Sequence, residues 1–168
     1  RRAVASHHPD LTMEPAELLA LCRSKGVTIA TAESCTGGMV GAALTDIAGS
    51  SDVFERGFIT YSNAAKMEML GIRPETLDAH GAVSEEIARE MAEGALARSN
   101  ASLAVSITGI AGPGGSEHKP EGRVCFAIAG HGPTEAETVE FGALGRSAVR
   151  NAAMRHALAL LAARATAA

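Results

Sequence analysis

Two short β-prone runs constrain the architecture of this chain more than any other feature. Val27–Ala32 (Val-Thr-Ile-Ala-Thr-Ala) and Leu103–Thr108 (Leu-Ala-Val-Ser-Ile-Thr) each empty without a linker into a loop of small residues, Glu33–Gly38 and Gly109–Gly115. Between them the apolar period shifts from that of a strand to that of a helix. Unbroken strands of this kind are buried on both faces, which requires helices on both sides of the sheet. The remaining elements fit that demand. Pro15–Lys25 reads as an amphipathic helix, with Pro near its start, Leu18, Leu21 and Cys22 on one face and Gly26 as the stop. A helical pattern runs from Met39 through Ile47, and a strand over Val53–Tyr61. A short helix follows over Asn63–Leu70, capped by Ser62 or Asn63 and ended by Gly71. Ile72–Val83 reads as loop, and Ser84-Glu85-Glu86-Ile87 opens a helix reaching about Ser99. Strands over Arg123–Ala129 and Glu137–Phe141 flank Gly130-His131-Gly132-Pro133, and a last helix covers Arg146–Arg164. The expected fold is α/β: a single domain over residues 12–168 with a mixed β-sheet flanked by α-helices, preceded by a flexible N-terminal segment over 1–11.

Such a core needs bulk, yet the chain has no Trp, one Tyr (Tyr61) and four Phe. With 46% hydrophobic residues, Leu, Ile, Val, Met and close Ala/Gly packing must fill it. The net charge of −4, the scattered basic residues and the single Tyr provide neither the electrostatic footprint nor the stacking platform of a nucleic-acid binder. No stretch approaches 18 unbroken apolar residues, and the polar N-terminus does not read as a signal sequence, so neither membrane insertion nor secretion is expected. Three unevenly spaced cysteines without a C-x-x-C suit a reducing cytoplasm. The histidines are dispersed without ligand spacing, so no metal site and no cofactor are expected.

Three loops can carry chemistry at strand ends. In Glu33–Gly38, Ser34 lies at a strand-to-helix turn, and Thr36, Gly37 and Gly38 expose backbone N–H groups for an oxyanion or phosphate; simple helix capping explains the same residues equally well. The second combines Ser50-Ser51 with Tyr61–Lys66. No His-Asp partner for a serine is evident, and a desolvated lysine is the natural substitute; Lys66 reads either as that base or as an ordinary solvated helix lysine. Thr108–Gly122 holds five glycines, enough to approach a ligand as an anion nest, or to form a long surface loop. It is neither a Walker loop nor a dinucleotide fingerprint. Cys35 reads as a buried thiol rather than a nucleophile, because no base is paired with it.

Four motifs in order carry a resemblance: Ala32–Gly38, Gly49-Ser50-Ser51 with Phe54–Lys66, Gly81–Ser84, and Thr108–Pro113. They resemble the CinA C-terminal domain family, from about Pro15 to Ala163, and the chain looks like a stand-alone member of it. Stand-alone members are nicotinamide mononucleotide deamidases. The resemblance therefore implies hydrolysis of that nucleotide's carboxamide to nicotinic acid mononucleotide and ammonia, without a metal. Carried onto matching positions, it implies a site of Ser34, Ser51, Tyr61 and Lys66. Either serine fits as nucleophile; the strand-end position favours Ser34, with Lys66 as base and Tyr61 and Ser51 as supporting donors. The phosphate is expected on Thr36, Gly37 and Gly38 or on Thr108, Gly109, Gly112, Gly114 and Gly115, with Arg146 matching a family arginine.

The chain departs from the family pattern twice. Leu144-Gly145-Arg146 stands where Gly-Asp-Arg is usual, which puts the pose of Arg146 in doubt, and Glu121 replaces an apolar residue, a change expected to alter only loop surface. A homo-oligomer is expected from the family. The rival readings are a nucleotide-binding accessory or regulatory domain linked to competence or DNA damage without turnover, and an amidase or esterase for a smaller substrate.

Overall fold

The computed structural model describes residues 13–168. The flexible segment expected over 1–11 lies outside the described residues. Helix α1 (Pro15–Lys25) starts with proline in its first turn and a reciprocal Glu14–Glu17 capping box, and it stops at Gly26 with φ 67°. Strand β1 (Ile29–Glu33) is buried at all five positions. It leads to α2 (Met39–Thr45), a 3-10 turn (Ser50–Asp52) and β2 (Phe54–Ile59). Helix α3 (Asn63–Leu70) is capped by Ser62, whose Oγ accepts from Ala65 N–H at 3.0 Å. Next come α4 (Pro74–His80) and α5 (Glu85–Ala97), the latter capped by Ser84 through Ile87 N–H. Strands β3 (Leu103–Gly109), β4 (Arg123–Ala129) and β5 (Glu135–Glu140) and helix α6 (Arg146–Ala167) complete the chain.

The five strands form one mixed sheet in the order β2-β1-β3-β4-β5. β1 lies parallel to both β2 and β3, while β4 and β5 return antiparallel. The chain leaves β1 for β2 on one side and reaches β3 on the other. That reversal opens a crevice beyond the carboxyl ends of β1 and β3.

Strand alternation assigns the two faces. Ile29, Leu103, Val105, Ile107, Val124 and Phe126 point towards α1, α2 and α6. Ala30, Ala32, Ala104, Ala127 and Ala129 face the other side, where α5 lies. Large side chains on one face and alanines on the other are how an aromatic-poor chain closes its core: α5 seats close against the alanine face. Ser106 Oγ and Thr108 Oγ1 fasten that seat by donating to Ala88 O at 2.6 Å and Ala82 O at 2.8 Å.

Gly94 takes the same economy furthest. A Cβ there would stand 2.2 Å from Leu70 O, a backbone atom at the end of α3. Gly94→Ala is expected to cost about 1–3 kcal/mol net of its helix-propensity gain, roughly 2–12 °C of melting temperature. An unchanged melt would contradict the close approach.

Helix α4 corrects the expectation of loop across Ile72–Val83. It has no buried residue of its own, and its cap is borrowed from α5: Glu90 accepts from Arg73 N–H at 2.9 Å and from Thr76 Oγ1 at 2.6 Å. Local pattern cannot show a cap supplied 14 to 17 residues away. Among the described residues, no helix is long and apolar enough to cross a membrane.

Candidate active site

Ser34 is the first residue beyond β1, and its N–H still joins the ladder by donating to Ile107 O at 3.0 Å. On the neighbouring strand, Thr60 N–H donates to Glu33 O at 2.9 Å, which brings the Thr60-Tyr61 segment alongside Ser34. Helix α3 starts immediately afterwards. Helical side chains lean towards the N-terminus, so Lys66, in the first turns of α3, folds back over the strand end. Its Nζ lies 3.1 Å from each of Ser34 Oγ, Thr60 O and Tyr61 O.

Lys66 is only 1% exposed, and among the described residues it has no ion-pair partner. Burial disfavours the ammonium and lowers its pKa, opposed more weakly by the charges of Cys35 and Glu117. As an ammonium Lys66 donates to all three oxygens. Once neutral, an amine has two hydrogens for the two carbonyls and a lone pair free to face the Ser34 hydroxyl. Of the two readings of Lys66, the structure therefore gives the buried amine and excludes the solvated helix lysine. Cys35 lines the same cavity, but burial pushes its thiol up to about 11, so it stays protonated at neutral pH and is a poor rival nucleophile.

Of the cradle expected at Thr36, Gly37 and Gly38, the two glycine N–H groups are already taken, while that of Thr36 has no acceptor among the described residues. The Glu33 side chain, buried beneath this turn, accepts from the N–H groups of Gly38 and Val40 at 3.1 Å and of Gly41 at 2.9 Å. Gly37 N–H is also spent, on Ser34 O at 3.0 Å. The N-terminus of α2 thus binds the chain's own carboxylate, and the N–H groups of Gly37, Gly38, Val40 and Gly41 are not left for a substrate phosphate.

Ser51 is not brought to the pair either. It is exposed in the 3-10 turn before β2, and Phe54 of β2 pairs with Ile29, at the far end of β1 from Ser34. The length of β1 separates the two serines by roughly 17 Å. The turn is anchored to α1 instead: Arg23 donates to Asp52 at 2.6 and 3.0 Å and to Gly49 O at 3.0 Å. Within one chain Ser51 cannot act as a supporting donor.

A cavity of about 290 Å³ opens over Ser34 and Lys66, bounded by Tyr61, Val83, the glycine-rich loop and Arg146. That volume lies near the lower end of small-ligand pockets, about 300–1,000 Å³. Thr108, Gly109, Gly112, Gly114 and Gly115 all line it, as expected for an anion nest. Gly114 N–H is occupied by Glu121 Oε1 at 2.8 Å, whereas those of Gly112 and Gly115 have no acceptor among the described residues. Gly115 must be glycine, because a Cβ would lie 2.4 Å from Lys119 O.

Arg146 spans the cavity mouth, donating to Gly112 O at 2.6 Å and to Tyr61 Oη at 3.0 Å. Tyr61 lines the cavity, and its phenol oxygen accepts from Arg146 while keeping its own hydrogen to donate. Its carbonyl touches Lys66, while its phenol, on a residue 62% exposed, turns to Arg146. The two departures from the family pattern meet here. Glu121 Oε2 accepts from Gly145 N–H at 3.0 Å, so the residue expected to alter only a loop surface ties the glycine-rich loop to the start of α6 and sets the base of Arg146.

Three positioning side chains escaped sequence reasoning. Glu33 stands in the sequence only as the first residue of the Glu33–Gly38 loop. Lys119, within the Thr108–Gly122 loop, donates to His80 O and Val83 O at 2.7 Å each. Arg150 donates to Cys35 O at 2.9 Å and Thr36 O at 3.4 Å. Its one signal is its spacing of four from Arg146, which puts both arginines on one face of α6. Among the described residues, no three or more His, Cys, Asp or Glu side chains converge.

The profile of the CinA C-terminal domain matches residues 12–165. The chain belongs to the CinA C-terminal domain family. It is 56% identical over 143 residues to the nicotinamide-nucleotide amidohydrolase PncC of Escherichia coli K12, covering 83% of this chain and 85% of that protein. It is 52% identical over 151 residues to a putative competence-damage inducible protein of Symbiobacterium thermophilum; there the match takes in 84% of this chain but only 35% of the relative's length. Among solved structures, the competence/damage inducible protein CihA of Agrobacterium tumefaciens superposes with a TM-score of 0.82 at 46% identity, over 91% of this chain and 98% of that one. A CinA superfamily protein of Klebsiella pneumoniae 700603 gives 0.85 at 36% identity, over 92% and 99%. The open mixed sheet is thus the CinA fold, and the Ser34–Lys66 pair sits at its crevice.

Proposed function

We propose that this chain is a nicotinamide-nucleotide amidohydrolase that hydrolyses the carboxamide of nicotinamide mononucleotide to nicotinic acid mononucleotide and ammonia. One observation carries the reading: a serine hydroxyl 3.1 Å from a buried lysine amine whose other two contacts are both carbonyls, at the floor of a cavity sized for one small molecule. The chain supplies its own nucleophile and base, so the chemistry requires neither metal nor cofactor.

Lys66 Nζ takes the Ser34 hydroxyl proton as Oγ bonds to the amide carbon, and the carbonyl π pair moves to oxygen. When that pair returns, the C–N bond breaks, and the proton held by Lys66 goes to the departing nitrogen, giving ammonia and an acyl-serine. Water then attacks the same carbon. Its proton passes to Lys66 and on to Ser34 Oγ as the ester bond breaks, releasing the acid and restoring both groups.

The phosphoribosyl end lies along Thr108, Gly109, Gly112 and Gly115 towards Arg146, passing Gly114, whose N–H is taken by Glu121, since the N-terminus of α2 is filled by Glu33. The reading includes a cytoplasmic, self-associating enzyme that acts on a small nucleotide, with no nucleic-acid or membrane partner. Three free buried cysteines agree with a reducing compartment.

Ammonia release tests this directly. Nicotinamide mononucleotide is expected to turn over about 100-fold or more faster than free nicotinamide at equal concentration, because binding energy from the phosphoribosyl part is used at the reacting carbon. Ser51→Ala is expected to stay within about twofold of wild type, as a surface change remote from the reacting atoms. Equal rates on the two amides would indicate a small-amide amidase instead. Tight nucleotide binding without any ammonia would make the domain a binding module.

A further inference from the structure

We propose that Arg150 is a positioning residue for the oxyanion hole: by gripping the Cys35 and Thr36 carbonyls it fixes the turn after Ser34, whose Cys35 N–H stands at the cavity for the oxygen of the tetrahedral intermediate. The inference rests on the amidohydrolase reading and deepens it.

An inventory of the N–H groups around Ser34 leaves few donors. Ser34 N–H goes to Ile107 O, Gly37 N–H to Ser34 O and Met39 N–H to Thr36 O. Gly38, Val40 and Gly41 all donate to the Glu33 carboxylate. Only Cys35 and Thr36, the two residues directly after the nucleophile, have N–H groups without an acceptor in this stretch among the described residues. The chain from Ser34 to Met39 forms two turns, closed by the Gly37-to-Ser34 and Met39-to-Thr36 bonds, both at 3.0 Å, with Gly37 and Gly38 at positive φ. Of the two residues whose N–H groups are left over, Cys35 lines the cavity over Ser34 and Lys66. Thr36 Oγ1, fully buried without a partner, adds an unused polar atom to this turn.

Arg150 approaches this turn from α6. Its Nε donates to Cys35 O at 2.9 Å and one terminal nitrogen to Thr36 O at 3.4 Å. Gly37 leaves room for the guanidinium: a Cβ there would lie 3.2 Å from Arg150 Nη2. Among the described residues Arg150 has no ion-pair partner, so its charge is directed at two carbonyls. In a trans peptide the C=O and N–H point in opposite directions. Thr36 O shares its amide with Gly37 N–H, which donates to Ser34 O at 3.0 Å, and Ser34 O shares its amide with Cys35 N–H, so the grip of Arg150 reaches the Cys35 N–H through one hydrogen bond, and the charged donor polarises each amide along the way. A lysine has the charge but not the fork that grips two carbonyls.

The test compares Arg150→Lys and Arg150→Met with wild type and with Ser34→Ala. It reads kcat and KM for nicotinamide mononucleotide together with the affinity of two ligands. One is the mononucleotide of pyridine-3-carbaldehyde, to which Ser34 Oγ adds to give a hemiacetal with its oxygen in the oxyanion position. The other is nicotinic acid mononucleotide, which forms no adduct. Both arginine variants are expected to lose about 10- to 100-fold in kcat with KM within about threefold, and to lose aldehyde affinity by a similar factor while acid affinity is unchanged. Wild-type kcat in both overturns the assignment. So does a kcat loss with aldehyde affinity intact, or one in which both ligands weaken alike, the pattern of a merely structural arginine. If Arg150→Met melts below the assay temperature, Arg150→Lys provides the same comparison. An inert Ser34→Ala beside indifferent arginine variants overturns the Arg150 role alone, whereas wild-type turnover in Ser34→Ala removes the amidohydrolase reading at Ser34 itself.

Discussion

Lys66→Met is expected to lower ammonia release from nicotinamide mononucleotide by about 10³-fold or more, with a loss of the same order in Ser34→Ala and little further loss in the double variant. The non-additivity follows from the geometry. Among the described residues Ser34 Oγ has one base within reach, Lys66 Nζ, and Lys66 Nζ has one hydroxyl, so removing either ends the proton transfer that both serve. Losses that multiply in the double variant would mean that the two act in separate steps.

The buried amine also fixes two pH dependences. Because burial lowers the Lys66 pKa, the active, neutral form gains population as pH rises, and kcat/KM should climb through that lowered value. Stability follows the same sign. Between the folded value and the ordinary lysine value the unfolded chain holds more protons than the native one, so the Lys66 contribution to stability improves with rising pH. The penalty for burying the charge is fully present below the folded value. The difference in unfolding free energy between wild type and Lys66→Met should therefore tilt towards wild type by up to about 1.4 kcal/mol per pH unit in that window. A difference independent of pH would show that Lys66 keeps its ordinary pKa in the folded protein, and that a neutral base is not what the site holds.

What was legible in the sequence divides along a physical line. Elements that announce themselves locally match closely: the β3 run Leu103–Gly109, the Ser62 and Ser84 caps, the Gly26 and Gly71 stops, and the strand–turn–helix around Ser34. The fold class followed from those. The site was legible as a set of loops, but its electrostatics were not, because burial is a tertiary quantity. Nothing local to Asn63–Leu70 says that Lys66 is nearly sealed from water, and pattern alone favours a solvated lysine. Glu33 shows the same limit. A carboxylate at the end of an apolar strand reads as the first residue of a loop, yet it folds forward onto the helix that follows. Ser51 shows the converse: nearness in sequence to Tyr61 and Lys66 suggested a shared site, but β2 lies between them and carries the chain from one end of the sheet to the other.

The largest structural effect is expected at Glu33. Its carboxylate satisfies three N–H groups at the start of α2, and the residue is 1% exposed. Glu33→Ala leaves those donors without an acceptor in a place water reaches poorly, at a cost of about 2–4 kcal/mol, or roughly 4–16 °C in melting temperature. Glu33→Gln is the sharper probe. Its amide oxygen can still accept from Gly38 and Val40, but its NH₂ meets the Gly41 N–H donor to donor, so about half of the loss should remain. Thermal melts of the three proteins should therefore fall in the order wild type, Gln, Ala. Coincident melts would show that solvent replaces the carboxylate and that the turn holds without it. The order matters for function because the turn that Glu33 fastens also presents the Ser34 hydroxyl. A helix end neutralised by its own carboxylate cannot also bind substrate phosphate. That division leaves the turn free to serve the reacting carbonyl, and assigns the phosphate to the glycine-rich loop and Arg146 across the cavity.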